Sequence, residues 1–126
     1  MKEAIICVDD ERSLLFSLQH QISAELSDIL IECAESGEEA IELLKELQSM
    51  EIDVRFIITD QMMPGIKGNE IIEIIQKLNP EITCILLTGY TQLETIKELE
   101  QSQKVKIISK PWEKGELLSI LLDRTA

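Results

Sequence analysis

The strongest constraint on the fold of this chain is an alternation. Five short, apolar, β-rich runs stand out: "AIICV" at 4–8, "ILIECA" at 29–34, "VRFIIT" at 54–59, "ITCILL" at 82–87 and "VKIIS" at 105–109. At least three are apolar almost throughout, the pattern of strands covered on both faces. Between them apolar residues recur every three or four positions, as in amphipathic helices. Residues 12–26 carry Leu14, Leu15, Leu18, Ile22 and Leu26, and residues 37–48 carry Ala40, Ile41, Leu44 and Leu47. Residues 68–78 carry Ile71, Ile72, Ile75 and Leu78, residues 91–101 Leu93, Ile96 and Leu99, and residues 113–123 Leu117, Leu118, Leu121 and Leu122. Ser36, with Glu39 three residues on, predicts a capping box for the second helix. Parallel strands need helical crossovers, and right-handed ones fill both faces of the sheet. The prediction is therefore an α/β, doubly wound sandwich with a five-stranded parallel sheet.

The length of 126 residues suits one domain over 1–126, with no output domain expected in this chain. Aromatic residues make up only 3%, so the core must be aliphatic. The formal net charge of -12 argues against direct nucleic-acid binding and against an anionic membrane surface. It favours a metal ion or a cationic protein patch. No apolar run approaches the roughly 20 residues of a membrane span, and the N-terminus reaches charge too soon for a signal peptide. Cys7, Cys33 and Cys84 are widely spaced, without a CxxC pair, and lie in strand-like runs. Free thiols packed in the core of a cytoplasmic protein are expected.

The polar residues that follow the strands point to function. The first run ends in Asp9-Asp10-Glu11, the third in Asp60, the fourth in Thr88-Gly89 and the fifth in Ser109-Lys110-Pro111. Ligands of open parallel sheets bind outside the strand carboxyl ends, at the topological switch point. If strands one and three are neighbours there, three carboxylates converge. Two carboxylates ~4 Å apart repel by about 4 kcal/mol at an effective dielectric of ~20. A hard divalent cation such as Mg²⁺ would offset that, with Lys110 as a compact positive charge and Thr88 as a hydroxyl. Asp60 is then a candidate nucleophile toward a phosphoryl group. Singly, each feature has an ordinary reading: Glu11 and Glu35 are best taken as solvated or helix-capping residues, and Lys-Pro as a turn. The ordered set is what is specific.

That set, "VDDE", "TDQMMPG", "LLTGY" and "ISKPW", resembles the receiver domain of bacterial two-component response regulators over essentially the whole chain. The resemblance implies a flavodoxin-like (βα)5 fold with strand order 2-1-3-4-5. It implies that Asp60 accepts phosphate from a histidine kinase or phosphotransfer protein. Asp10, Asp60 and the Met62 backbone carbonyl would ligate Mg²⁺ directly, and Asp9 would act through water. Thr88 and Lys110 would bind the phosphoryl group, and a cis peptide is implied at Lys110-Pro111. The implied role is a phosphorylation-driven switch, not a turnover enzyme. It would act on an output domain or downstream protein by altering the surface of helix four, strand five and the last helix. A homodimer through that surface is a further expectation.

One position departs from the family. An aromatic usually lies three residues before the lysine, and here it is Ile107. The usual aromatic-swing route to activation has no aromatic at this position, and Tyr90 either covers part of the same surface or packs at the rim. Met62 and Tyr90 occupy the variable positions flanking the phosphate, and both are bulky, so a long-lived phosphorylated state is expected. Two alternatives stand beside the switch. One is a Mg²⁺-dependent phosphohydrolase of the haloacid dehalogenase type, whose nucleophile lies at the first strand in a DxD pattern; here Arg12, not a carboxylate, stands two residues after Asp10. The other is a degenerate receiver acting only as a binding module. His20 reads as an ordinary helix-surface residue and Met62-Met63 as packing at the core edge. The apolar surplus near the last helix (Trp112, Leu117, Leu118, Ile120, Leu121, Leu122) is either core or a docking face.

Overall fold

The computed structural model describes residues 2–89, 94–99, 101–102 and 104–123. Its elements alternate as the apolar pattern predicts: β1 (Glu3–Val8), α1 (Arg12–Glu25), β2 (Leu30–Ala34), α2 (Gly37–Ser49), β3 (Asp53–Asp60), α3 (Gly68–Leu78), β4 (Thr83–Thr88), α4 (Glu94–Leu99), β5 (Val105–Ser109) and α5 (Lys114–Leu122). The strands form one parallel sheet in the order β2-β1-β3-β4-β5. The chain therefore leaves β1 toward one edge and β3 toward the other, which makes the β1/β3 boundary the switch point.

Side chains alternate across the sheet, so each strand feeds two cores. Ala4, Ile6 and Val8 join Leu44, Leu47, Ile71, Ile72, Ile75 and Ile96 under α2, α3 and α4. Ile5 and Cys7 join Leu15, Leu18, Ile22, Leu117 and Leu121 under α1 and α5. β3 meets a problem that the apolar pattern conceals, because Arg55 interrupts its run. The register between β1 and β3 shifts there: Ala4 pairs with Val54, but Ile5 pairs with Phe56. Arg55 is the extra residue of the bulge, and its guanidinium bonds Glu3 at 2.9 Å. Val54 then faces one core and Phe56 the other, so the strand regains its phase without burying a lone charge.

Ser36 caps α2 as expected, its hydroxyl accepting from the Glu39 backbone N–H at 3.2 Å. The return bond differs from the expected box: Glu39 Oε2 accepts from the Glu35 N–H, one residue earlier. Cys7 and Cys84 are buried, whereas Cys33 is only half-buried because β2 is an edge strand. Most of the apolar surplus near the last helix is core: Leu117, Leu118 and Leu121 are buried, and Trp112 and Ile120 pack partly against the same cluster. Leu122 alone of the six is strongly exposed. Tyr90 and Leu93 lie outside the described residues, as do positions 91, 92 and 100 of the expected 91–101 helix, which is observed as Glu94–Leu99. No helix among the described residues is long and apolar enough to cross a membrane.

Candidate functional site

Strand register, not local sequence, builds the site. Val8 pairs with Thr59, so Asp9 and Asp60, the next residue on each strand, leave the sheet side by side. Asp60 itself pairs with Leu87, which puts Thr88 one step further along the adjacent strand. Thr88 pairs with Ser109, and the Lys110 backbone N–H donates to the Thr88 carbonyl at 2.9 Å. Four strands thus deliver Asp9, Asp10, Asp60, Thr88 and Lys110 to one rim. Asp9, Asp10 and Asp60 each offer a carboxylate oxygen within 4.8 Å of the others. Asp9 is 2% exposed and Asp60 8%, while Asp10 is open to solvent.

Burial and crowding set the electrostatics. The Asp9 carboxyl is pushed up to about 6, chiefly by loss of solvent and then by the neighbouring Asp60 and Asp10 charges. A hydrogen bond from the Glu11 N–H to Asp9 Oδ1 at 2.9 Å and the nearby Lys110 ammonium act in the opposite sense. Lys110 Nζ reaches Asp60 Oδ1 at 2.5 Å, so the buried acid already has one cationic partner. The set still holds three acids to one lysine, and such an all-oxygen group suits a small hard divalent cation. A carboxylate oxygen held beside an ammonium can also act as a nucleophile whose product charge is met by a fixed donor.

The loop after β3 is held tightly. Gly65 takes a positive φ of 80°, which glycine adopts without strain and which turns the chain. At Gly68 the first turn of α3 lies against the strand end: a Cβ there would stand 2.4 Å from the Asp60 carbonyl oxygen and 2.9 Å from Gln61 Cα. Met62 is 49% exposed, in keeping with a position flanking the rim, and Met63 is buried. Ile107, in the place usual for an aromatic, is half-buried and packs against the α2–α4 core. Glu11 and Glu35 are exposed, in keeping with solvated residues outside the acidic set. Glu11 precedes α1 without a side-chain cap, and Glu35 pairs with Arg12 on the surface at 2.8 Å. Two residues that order this region, Gln61 and Asn69, had drawn no role from the sequence, because a polar loop residue carries no signal of its partner.

Residues 5–122 match the model of the response regulator receiver domain. The chain belongs to that family. Among curated relatives, this receiver domain is 31% identical to a transcriptional regulatory protein, YesN, of Bacillus subtilis (strain 168), over 93% of this chain and 31% of that protein. It is 23% identical to sporulation initiation phosphotransferase F of the same organism, over 93% of this chain and 89% of that one. Among solved structures it is similar to the signal receiver domain of an HD domain-containing protein from Pseudomonas fluorescens Pf-5, with a TM-score of 0.80 and 27% identity, covering 98% of this chain and 86% of that chain. The receiver spans less than a third of the length of YesN, the first of these relatives. The family match supports the signalling-switch reading and gives none to a haloacid dehalogenase-type phosphohydrolase.

Proposed function

We propose that Asp60 is the phosphoacceptor of this receiver domain. The observation that carries the reading is the placement of Asp60: nearly buried at the end of the central strand, bonded to Lys110 and grouped with Asp9 and Asp10. An Asp60 carboxylate oxygen would attack the phosphorus of a phosphohistidine on a sensor kinase or phosphotransfer protein. The P–N bond breaks, and the imidazole leaves with the electron pair and takes a proton. Lys110 and the Thr88 hydroxyl would then hold the phosphoryl oxygens.

The residues present fit a divalent ion, because two of the three clustered acids are buried and Asp9 is held well above the ordinary carboxylate range, chiefly by burial and then by the neighbouring acids. Asp10, Asp60 and the Met62 carbonyl would hold Mg²⁺, with Asp9 reaching it through water. When bound, the ion supplies positive charge that offsets carboxylate repulsion and the charge of the transferred group.

Phosphorylation would draw Thr88 and Lys110 toward Asp60 and shift β4 and β5, favouring one arrangement of the α4–β5–α5 surface over another. An output domain, a downstream protein or a second copy of the chain would read that change. With Ile107 aliphatic, the response does not require an aromatic to swing. Met62 flanks the rim and would shield the acyl phosphate from water. A loss of phosphate within seconds, unchanged in Met62→Asn, would refute that shielding. A cytoplasmic setting fits the free Cys7, Cys33 and Cys84.

The deciding experiment is incubation with acetyl phosphate and Mg²⁺ followed by intact mass. One added phosphate on the wild type and none on Asp60→Asn is expected. Labelling of both, or of neither, would end the proposal. Steady turnover of phosphomonoesters would show an enzyme instead of a switch.

A further inference from the structure

Gln61, the residue after Asp60, is buried at 5% exposure, and its backbone and side-chain groups are engaged at every point. Its backbone N–H donates to the Leu87 carbonyl at 3.3 Å, and its carbonyl accepts from the Gly68 N–H at 3.0 Å. Its side-chain Nε2 donates to Asn69 Oδ1 at 2.7 Å, while its Oε1 accepts from the Asn69 backbone N–H at 2.8 Å. The last two bonds form a closed amide pair across the loop between β3 and α3. On the far side of Met62, the Met63 carbonyl accepts from Lys67 Nζ at 2.8 Å, and the Met63 side chain is buried. Met62 therefore sits between two residues tied down on both sides, although its own side chain is open to solvent.

Packing alone does not require an amide here. A buried primary amide loses solvation and is retained without cost only where both of its ends are paired, as they are. Leucine would fill similar space but would fix no distance between the strand end and the first turn of α3. Residues that orient ligand-bearing groups without touching the ion are a general feature of metal sites.

We propose that Gln61, clamped to Asn69, is a positioning residue that holds the Met62 peptide in the orientation its carbonyl needs to complete the cation site. This inference rests on the reading of Asp60, Asp10 and Met62 as the Mg²⁺ set. The clamp acts before any ion arrives, so its effect belongs to cation affinity and to loop order, not to the chemistry at Asp60.

The test compares the wild-type chain with Gln61→Leu and Asn69→Ala. Asn69→Ala removes the Oδ1 acceptor but leaves Gln61 and the residue 69 N–H in place, so it reads the clamp even if Gln61→Leu does not fold. Mg²⁺ affinity is measured by calorimetry, the labelling rate with acetyl phosphate is followed against Mg²⁺ concentration, and amide exchange is recorded across residues 62–67 in EDTA. The folded variants are expected to bind Mg²⁺ about 10-fold more weakly while labelling at saturating Mg²⁺ within about twofold of wild type. Amide exchange in the loop is expected to be faster than in wild type. A residue serving stability alone would leave the half-saturating Mg²⁺ concentration of the folded protein unmoved. Folded variants that bind as tightly as wild type would overturn the clamp and leave the phosphoacceptor reading intact. A wild type that neither binds Mg²⁺ nor takes up phosphate would overturn both.

Discussion

At the residue scale the most consequential group is Asp9. Its carboxyl is nearly buried and shares the rim with two other acids, so its folded value lies at about 6 against an ordinary 3.8. A raised value means that the folded state holds the proton more tightly than the unfolded chain. The cost of ionising Asp9 is therefore fully present above about pH 6, shrinks as pH falls through 6, and is gone below the ordinary value. In EDTA, Asp9→Asn should be more stable than wild type at pH 7.5, by up to about 2–3 kcal/mol. Asparagine keeps an Oδ1 for the Glu11 N–H, so that hydrogen bond is not lost with the charge. The advantage should fade between pH 6 and pH 4. Urea midpoints at pH 7.5, 6 and 5 would check this, and an advantage that grew on acidification would contradict the stated origin of the shift.

At the scale of elements, the contact between the end of β3 and the start of α3 matters most. The helix starts with glycine because nothing larger fits: a Cβ on residue 68 would meet the Asp60 carbonyl oxygen, Gln61 Cα and Leu86 Cδ1 at 2.4, 2.9 and 2.7 Å. Two of those three atoms are backbone of the Asp60–Gln61 segment and cannot step aside as a flexible side chain can. Gly68→Ala should cost roughly 1–3 kcal/mol of stability, as overpacking usually does. Because the strain falls on Asp60 and Gln61, it should also weaken Mg²⁺ binding. Denaturation and a Mg²⁺ titration of the variant would test both, and an alanine variant that matched wild type in each would show that α3 can slide. Gly115, by contrast, meets nothing within 4 Å in its added Cβ position.

At the scale of the whole molecule, a two-sided core fixes five strands while the rim concentrates charge in a chain that already carries -12. Neutralising that rim should stabilise the entire fold, since a ligand that binds only the native state adds free energy by mass action. Mg²⁺ at 100 times its dissociation constant should contribute about 2.7 kcal/mol, or on the order of 10 °C in Tm for a domain of this size. Sodium chloride at matched ionic strength should do far less, because screening of exposed charges is a weaker effect than binding at one site. Asp10→Asn should remove most of the difference between the two salts. Equal stabilisation by both salts in thermal melts would show that general screening, not a site, is at work.

Much of this was legible in the sequence. The strand–helix alternation, both faces of the core and the acid-to-lysine set could be read directly, because burial writes itself as periodicity and rim residues follow their strands immediately. The Arg55 bulge, the half-exposure of Cys33 and the fate of the apolar residues near α5 could not be read. Each depends on which strand is a neighbour or an edge, and that is a property of the assembled sheet. The Gln61–Asn69 pair belongs to the same class. A side-chain hydrogen bond across eight residues leaves no period in the chain, and only the docking of α3 against the end of β3 brings its two halves together.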